Sequence, residues 1–372
     1  MRKARSKKQR RSLRSFDFFC GAGGLTRGLR SAGIGVLAGF DVDERCRDTY
    51  EKNNRGTKFI KKDIRNITIA ELQRLARAKS FHNMLFAGCA PCSPFSQKRK
   101  VQTPSDDGTL LIAFGRIIAK ARPGYVLVEN VPGIANVDGY SAFRRFIRIL
   151  ERSGYRHRIT YAVVDAKRFG VPQTRRRLVL IATRKGNSSI PDASYGIKNR
   201  PFRTVRDAIR RFPVLRAGNR HKSVKNHSVS ALSNTNLKRL RKTPVNGGDR
   251  RNWPRSLRLQ CHKRDNKAYC DSYGRMSWDS PAPTLTGRCH SISNGRYGHP
   301  TQCRAISLRE AAALQTFPDT YEFFGSHTHI AQQIGNAVPV LLALQLGKHI
   351  VRMHRRSKLA NSRRNRKVNL IA

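Results

Sequence analysis

A cysteine in a proline-bounded turn is the residue best suited to chemistry in this chain. Cys92 lies in segment 89–96, which reads CAPCSPFS and follows the apolar run 83–88. A nucleophilic cysteine needs a rigid loop that is open to substrate, with positive charge nearby to favour the thiolate. A second apolar run, 126–131, carries an acid, Glu129. A thiol and a carboxylate at two strand ends indicate a nucleophile and an acid acting on one substrate.

A glycine-rich turn follows the first predicted strand, Ser15–Phe19. Gly21, Gly23 and Gly24 precede a predicted helix, so the backbone there can approach a ligand at the helix N-terminus. The spacing G-x-G-G differs from the dinucleotide fingerprint. A tight strand-to-helix turn without a ligand therefore stays open as the alternative.

The alternation of strands and helices explains why these residues should meet. Strand-like and helix-like stretches alternate through residues 15–183, which is typical of a parallel sheet covered on both faces. Ligands bind such sheets at the carboxyl ends of the strands. Asp41 ends the second predicted strand and Asp63 follows the third, where acids can bond ribose hydroxyls. The pattern predicts an α/β doubly wound sheet that binds a nucleoside cofactor with few phosphates.

The regular alternation stops after Thr183. Residues 184–305 are rich in Asn, Ser, Gly, Pro, Arg and His, and predict a smaller, irregular domain with basic loops. Regularity returns at Ser307, which together with Glu310 predicts a capping box at a helix start. The last long helix is predicted at about 337–354.

The chain is strongly basic, with 75 Lys and Arg against 23 Asp and Glu and a formal net charge of +52. Such a surface needs a polyanionic partner, and nucleic acid is favoured because phosphate neutralisation releases counterions. An anionic membrane surface is the alternative. No apolar run approaches the roughly 20 residues of a spanning helix, and residues 1–14 lack a secretory signal. We expect a cytoplasmic, nucleoid-associated protein.

Eight cysteines in a chain of this length do not indicate a disulfide scaffold. Four of them lie late in the chain: Cys261, Cys270, Cys289 and Cys303. Their spacing lacks the paired short intervals of zinc ribbons, so no metal is expected. Cys89 and Cys92 have thioredoxin-like spacing, but Pro94 follows too soon for the helix such a redox pair opens. Cys89 is expected to be a packing residue.

Six separated blocks resemble, in the same order, the motifs of bacterial DNA (cytosine-5)-methyltransferases, and six matches in order make chance negligible. The blocks are DFFCGAGG at 17–24, CAPCSPFS at 89–96, ENV at 129–131, QTRRR at 173–177, REAAALQTFP at 309–318 and QIGNAVP at 333–339. The resemblance implies a Rossmann-like, S-adenosylmethionine-dependent methyltransferase that acts on double-stranded DNA. It also implies a division into five parts. These are a basic disordered tail (1–14), a catalytic domain (15–183), a target-recognition domain (184–305), a part that returns to the catalytic domain (306–354) and a second basic tail (355–372).

The resemblance also implies the catalytic roles. Cys92 would attack C6 of a flipped-out cytosine, so that C5 can take up a methyl group. Glu129 would contact N3 and the exocyclic amine and offset charge as the thiolate adds. Arg177 would bind O2 of the base, and Arg175 would lie near the thiolate and the phosphate. The positive charges of these two arginines would also help to lower the thiol pKa.

The methyl donor implied by the resemblance is S-adenosylmethionine. Phe19 and the glycine turn would hold it, Asp41 its ribose hydroxyls and Asp63 its adenine amine. Asn336 would complete the pocket. No metal is implied.

Two positions depart from the family pattern. Ser93 stands where the family usually has Gln, which puts a DNA contact at that position in doubt, and Val340 replaces a frequent second proline. The segments expected to face DNA are 273–278, 284–286 and 293–297.

Two other functions remain as alternatives. The first is an RNA (tRNA) cytosine-5 methyltransferase, whose branch carries a Cys-Phe-Thr signature and a short variable region; neither is present here. The second is a catalytically dead DNA-binding relative, against which the intact catalytic residues argue. We expect a monomer, with a possible cognate restriction endonuclease that acts separately in a restriction-modification system.

Overall fold

The computed structural model describes residues 13–91, 107–135, 142–264 and 272–368. The chain divides into two compact units. The first unit comprises residues 1–164, 176–192 and 342–372, and the second comprises residues 165–175 and 193–341.

The first unit is built on a seven-stranded sheet with the strand order β3-β2-β1-β4-β5-β7-β6. The strands are β1 Arg14–Phe18, β2 Gly35–Asp41, β3 Lys58–Lys61, β4 Met84–Gly88, β5 Tyr125–Asn130, β6 Ile159–Asp165 and β7 Arg176–Thr183. Every residue of β4 and β5 is buried, as expected for central strands that are covered on both faces. The α/β doubly wound sheet predicted from the alternation is therefore present.

The first five strands pair in parallel, but β7 pairs antiparallel to β5, with Glu129 opposite Val179. The prediction of an entirely parallel sheet is wrong at this strand. The connection 166–175 between β6 and β7 is short, which disfavours a parallel arrangement of these two strands because a parallel pair needs a crossover of about a dozen residues or more.

Helices accompany the strands of the first unit. They are α1 Gly24–Ser31, α2 Arg47–Asn53, α3 Ile69–Ala76, α4 Asp107–Ala121 and α5 Ala142–Leu150. Phenylalanines from β1, β2, β4 and α4 form the centre of the core. Phe18 stacks on Phe40 at 5.3 Å between ring centroids and lies 4.9 Å from Phe114. This apolar centre fixes the strand ends that carry the polar residues.

The second unit is less regular, as the composition of residues 184–305 predicts. Its helices are α6 Val205–Ile209, α7 Asn234–Lys242, α8 Gln260–Arg264, α9 Leu308–Leu314 and α10 His327–Asn336. The predicted capping box is confirmed: Glu310 N–H donates to Ser307 Oγ at 3.0 Å, and Ser307 N–H donates to Glu310 Oε2 at 2.7 Å. Residues 306–341 belong to this unit, whereas the motif order assigned them to the returning part. Arg304, which donates to both oxygens of Glu310 at 2.7 Å, ties the start of this segment to the residues before it.

The last helix, α11, runs over Val340–Val368. The helix predicted at about 337–354 therefore continues into the second basic tail, as far as Val368. The helix is rich in Leu, Lys and Arg and has no proline, so nothing in it ends a helix. By length and composition, the stretch His327–Ala360 could cross a membrane, but 56% of its apolar window is buried within the protein. This burial is what core helices show.

Candidate active site

The glycine turn after β1 has an unusual backbone. Phe19, Gly21 and Gly23 have φ angles of 60°, 47° and 83°, all in the left-handed region. Glycine adopts such angles at little cost, but at Phe19 the conformation costs on the order of 1–3 kcal/mol. A side chain at Gly21 would meet nothing within 4 Å. The turn thus leaves open space beside Gly21, shortly before α1 begins at Gly24.

Asp41, at the end of β2, ties this turn to the neighbouring strand. Its Oδ2 accepts from Gly21 N–H at 2.8 Å and its Oδ1 accepts from Asp43 N–H at 2.9 Å. Burial raises the pKa of this carboxyl, and these backbone hydrogen bonds oppose the shift. Each oxygen keeps a second lone pair, so the carboxylate can still accept from ribose hydroxyls.

Asp63 follows β3, the strand next to β2, as the sequence predicts. Its carboxylate already accepts from the backbone N–H of Arg65 at 2.8 Å and from the Arg65 guanidinium at 3.0 and 2.7 Å. The Arg65 side chain accordingly lowers the pKa of Asp63. An adenine amine would have to use the remaining acceptor capacity of this carboxylate.

Val42 is a candidate site residue that sequence reasoning missed. It lies between Asp41 and Asp43 at the same edge of the sheet, and its side chain is 60% exposed. An exposed apolar residue beside Asp41 offers a face on which a flat ring could pack. The signal was available in the sequence as a valine between two acids at a strand end.

Glu129 and Arg177 meet at the carboxyl end of β5. Arg177 Nε lies 3.0 Å from Glu129 Oε1, and the two side chains are 12% and 8% exposed. The two atoms form an ion pair without hydrogen-bond alignment, and Oε1 has no hydrogen-bond partner among the described residues. The reversed direction of β7 makes this pair possible, because it brings the first residues of β7 to the edge where β5 ends.

The cysteine segment is described only as far as Pro91, so Cys92 and Ser93 lie outside the described residues. The start of the segment is fixed by its neighbours. Cys89 N–H donates to Phe18 O at 3.3 Å, and Asn130 Nδ2 donates to Ala90 O at 3.1 Å. Asn130 therefore joins the base of the cysteine segment to the strand of Glu129, a role that sequence reasoning did not assign.

Cys89 is a poor candidate for a second nucleophile. Desolvation raises the pKa of its thiol well above the ordinary value, and the nearby acids Glu129 and Asp17 raise it further. A thiol that stays protonated at neutral pH attacks slowly. This agrees with its expected role as a packing residue.

Asp17 is a further buried acid beneath the glycine turn, and the sequence analysis assigned it no role. Thr26 Oγ1 donates to its Oδ2 at 2.6 Å, and Tyr50 Oη lies 2.9 Å from the same hydroxyl. Its Oδ1 has no hydrogen-bond partner within the described parts of the chain. Burial is the main cause that raises the pKa of Asp17 to about 7.

Arg175 and Asn336 lie in the second unit. Arg175 is 3% exposed, and its guanidinium donates to the backbone carbonyls of Leu285, Gly335 and Ala337 at 2.7, 2.9 and 3.3 Å. Asn336 is exposed and ends α10. The structure thus brings Arg175 to the backbone on both sides of Asn336.

The segment 273–278, expected to face DNA, is largely internal. Arg275 and Met276 are both 2% exposed, and Arg275 donates to the backbone carbonyls of Thr243, Leu240, His299 and Gln302. At Arg275 and Met276 the segment therefore faces the interior of its unit and not DNA. Nothing in a single sequence distinguishes an arginine that braces a loop from one that contacts DNA.

The first unit has a glycine turn, acids at the ends of adjacent parallel strands, and a buried acid–arginine pair. Together these features indicate the class of Rossmann-like, S-adenosylmethionine-dependent methyltransferases. Comparison with known proteins makes this more specific. The sequence model of the C-5 cytosine-specific DNA methylase family matches residues 13–352. The chain belongs to this family and is a DNA cytosine-5 methyltransferase with S-adenosylmethionine as methyl donor.

Several relatives are similar over nearly the whole chain. The Type II methylase M.HgiDII of Herpetosiphon aurantiacus is 41% identical over 352 residues, covering 92% of this chain and 97% of its own length. The Type II methyltransferase M1.HphI of Haemophilus parahaemolyticus is 31% identical, covering 92% and 88%. Among solved structures, a prophage-encoded DNA modification methyltransferase of E. coli aligns with a TM-score of 0.71 at 21% identity, covering 92% and 99%. The Dnmt2 methyltransferase of S. pombe aligns at 0.61 and 17%, covering 92% and 98%. At these identities the structures show the fold alone.

Proposed function

We propose that this protein methylates C5 of a cytosine within a specific duplex DNA sequence, through a covalent bond between Cys92 and C6 of a flipped-out base. The observation that carries the proposal is the carboxylate of Glu129. It is buried at the carboxyl edge of the sheet, and its Oε1 lies 3.0 Å from Arg177 Nε as an ion pair without a hydrogen bond to any described residue. A carboxylate prepared in this way can receive a polar group of the substrate.

The chemistry needs both a nucleophile and an acid. C5 of cytosine is a weak nucleophile, and addition of the Cys92 thiolate to C6 converts the ring to an enamine whose electrons reach C5. Glu129, hydrogen-bonded to N3 and the exocyclic amine, stabilises the charge that develops on the ring. Arg177 holds Glu129 and binds O2. When C5 has taken the methyl group, its proton leaves to water and the thiolate is expelled.

The burial of Glu129 supports base flipping. Its side chain is only 8% exposed, so a cytosine stacked inside a duplex cannot reach it. Extruding the base costs about a few kcal/mol, which contacts in the pocket must offset.

The described residues also fit S-adenosylmethionine, which supplies an electrophilic methyl group when bound. The space above Gly21 is open, Asp41 keeps acceptor lone pairs, and Val42 presents an apolar face. We assign the ribose hydroxyls to Asp41, the adenine amine to Asp63, and a further contact to Asn336. Phe19, Gly23 and Gly24 complete the turn that would hold the methionine part.

The partners follow from charge and from the relatives. A net charge of +52 supports binding to the DNA backbone with a steep salt dependence. The relatives M.HgiDII and M1.HphI are named Type II methylases, which supports a restriction-modification context with a separate endonuclease. We infer that the second unit contains the target-recognition domain and that the protein acts as a monomer on DNA in the cytoplasm.

Methyl transfer to different nucleic acids tests the proposal. The protein is incubated with tritiated S-adenosylmethionine and either duplex DNA, tRNA or neither, and the label in the nucleic acid is counted. We expect label in DNA only, none with Cys92→Ala, and wild-type transfer with the matched variant Cys89→Ala. Labelling of tRNA but not DNA would establish the RNA-directed alternative instead. Bisulfite sequencing of DNA from an expressing strain then gives the recognition sequence.

A further inference from the structure

The turn that carries Asn336 is held by buried polar side chains on both sides. Arg175 Nη2 donates to the carbonyl of Gly335 at 2.9 Å and to that of Ala337 at 3.3 Å. Gln315 Nε2 donates to the carbonyls of Ile334 at 2.7 Å and Ala337 at 3.3 Å. Four hydrogen bonds therefore fix the backbone immediately before and after one exposed side chain.

The donors themselves are anchored. The other terminal nitrogen of Arg175 donates to Leu285 O at 2.7 Å. Gln173 accepts from Leu285 N–H at 3.0 Å and donates to Gln315 Oε1 at 3.0 Å. Arg175, Gln173 and Gln315 are between 0% and 3% exposed. In such a low-dielectric setting these hydrogen bonds are strong, and the network is rigid.

Packing removes the remaining freedom of the turn. A Cβ atom at Gly335 would collide with the backbone carbonyl of Thr286, so the turn lies directly against that segment. The backbone of Asn336 thus has one position, set by the network on one side and by Thr286 on the other.

We propose that Arg175 is a positioning residue for S-adenosylmethionine binding: it acts by holding Asn336 in place. This inference rests on the proposed function, in which Asn336 contacts S-adenosylmethionine. It replaces the expectation that Arg175 acts as a cation beside the thiolate and the DNA phosphate. A guanidinium that is 3% exposed and bonded to three backbone carbonyls is suited to bracing a turn.

Calorimetric binding of S-adenosylmethionine to the full chain tests the role. Arg175→Lys keeps the charge but loses the forked donor geometry, and we expect it to raise the Kd about tenfold, as loss of a charge-assisted hydrogen bond does. Arg176→Lys is the matched control, because Arg176 is the exposed neighbour, and it should bind like the wild type. Gln315→Met removes the second tie and should also raise the Kd, which provides a test if Arg175→Lys folds poorly.

A double-mutant cycle identifies the route of action. Asn336→Ala should raise the Kd by itself, and adding Arg175→Lys to it should raise the Kd by less than about twofold more, because the residue being positioned is gone. The positioning role would be overturned if the increases in Kd caused by Asn336→Ala and Arg175→Lys multiply in the double variant. It would also be overturned if Arg175→Lys and Gln315→Met both leave the Kd unchanged and weaken DNA binding instead. If Asn336→Ala binds S-adenosylmethionine like the wild type, the Asn336 contact in the proposed function fails, and the positioning role fails with it.

Discussion

Asp17→Asn should change how stability depends on pH. The carboxyl of Asp17 is 1% exposed and burial raises its pKa from 3.8 to about 7. Between pH 3.8 and about pH 7, the folded protein therefore keeps a proton on Asp17 that the unfolded chain has lost. Over that window, rising pH favours the unfolded state by at most about 1.4 kcal/mol per pH unit. The contribution of Asp17 to the free energy of unfolding is fully present below pH 4 and is lost as the pH rises toward 7.

Between pH 5 and pH 7 the loss amounts to about 2–3 kcal/mol. Other groups titrate in the same range: burial lowers the pKa of His299 and His354 to about 4, and these histidines oppose the effect. Comparing the variant with the wild type cancels their contribution. The free energy of unfolding of Asp17→Asn, minus that of the wild type, should grow by about 2–3 kcal/mol from pH 5 to pH 7.

Urea unfolding followed by far-UV circular dichroism measures this difference. The tryptophans, Trp253 and Trp278, both lie in the second unit, so their fluorescence reports that unit separately. Asp279→Asn is the control: Arg206 lowers the pKa of that exposed acid, so it stays ionised from pH 5 to pH 7. A difference for Asp17→Asn that stays constant within about 0.5 kcal/mol would refute a buried, protonated Asp17.

Three further predictions concern the active-site edge and its support. Glu129→Gln should bind DNA and S-adenosylmethionine but transfer methyl groups about 10²–10⁴-fold more slowly, measured in single turnover; a loss under threefold would contradict its role. Gly39→Ala should lower the free energy of unfolding by about 1–3 kcal/mol, because its Cβ would overlap Tyr50; Gly35→Ala, with no contact closer than 3.7 Å, should cost far less, and equal losses would oppose this reasoning. Asn130→Ala should slow methyl transfer and leave the Kd for S-adenosylmethionine unchanged, as calorimetry can show; an unaltered transfer rate would argue against its positioning of the cysteine segment.

The sequence predicted those parts of the fold that depend on local patterns. Apolar runs identified the strands, and the capping box of Ser307 and Glu310 identified the start of α9. The direction of β7 was not predictable in this way, because the apolar run 178–182 is compatible with a parallel and with an antiparallel strand. That direction is nevertheless what brings Arg177 to Glu129.

The arginines show why the site could be predicted only in part. Arg175, Arg177 and Arg275 all lie in basic segments. From the sequence alone, each of them would be expected to have a charge that is available to a ligand. In the structure, Arg177 faces a carboxylate, while Arg175 and Arg275 donate to backbone carbonyls. Those carbonyls come from segments distant in the sequence, so the partners exist only once the chain has folded.

The most direct test of the account is whether Cys92 forms a covalent bond with the target cytosine. A duplex carrying 5-fluorocytosine at the target position is incubated with the protein and S-adenosylmethionine, because fluorine cannot leave C5 as the proton does. Mass spectrometry of the digested complex should find the nucleotide on the peptide that contains Cys92. Cys89→Ala should form the same adduct and Cys92→Ala none. Methylated DNA without any adduct, or an adduct on another residue, would contradict the account.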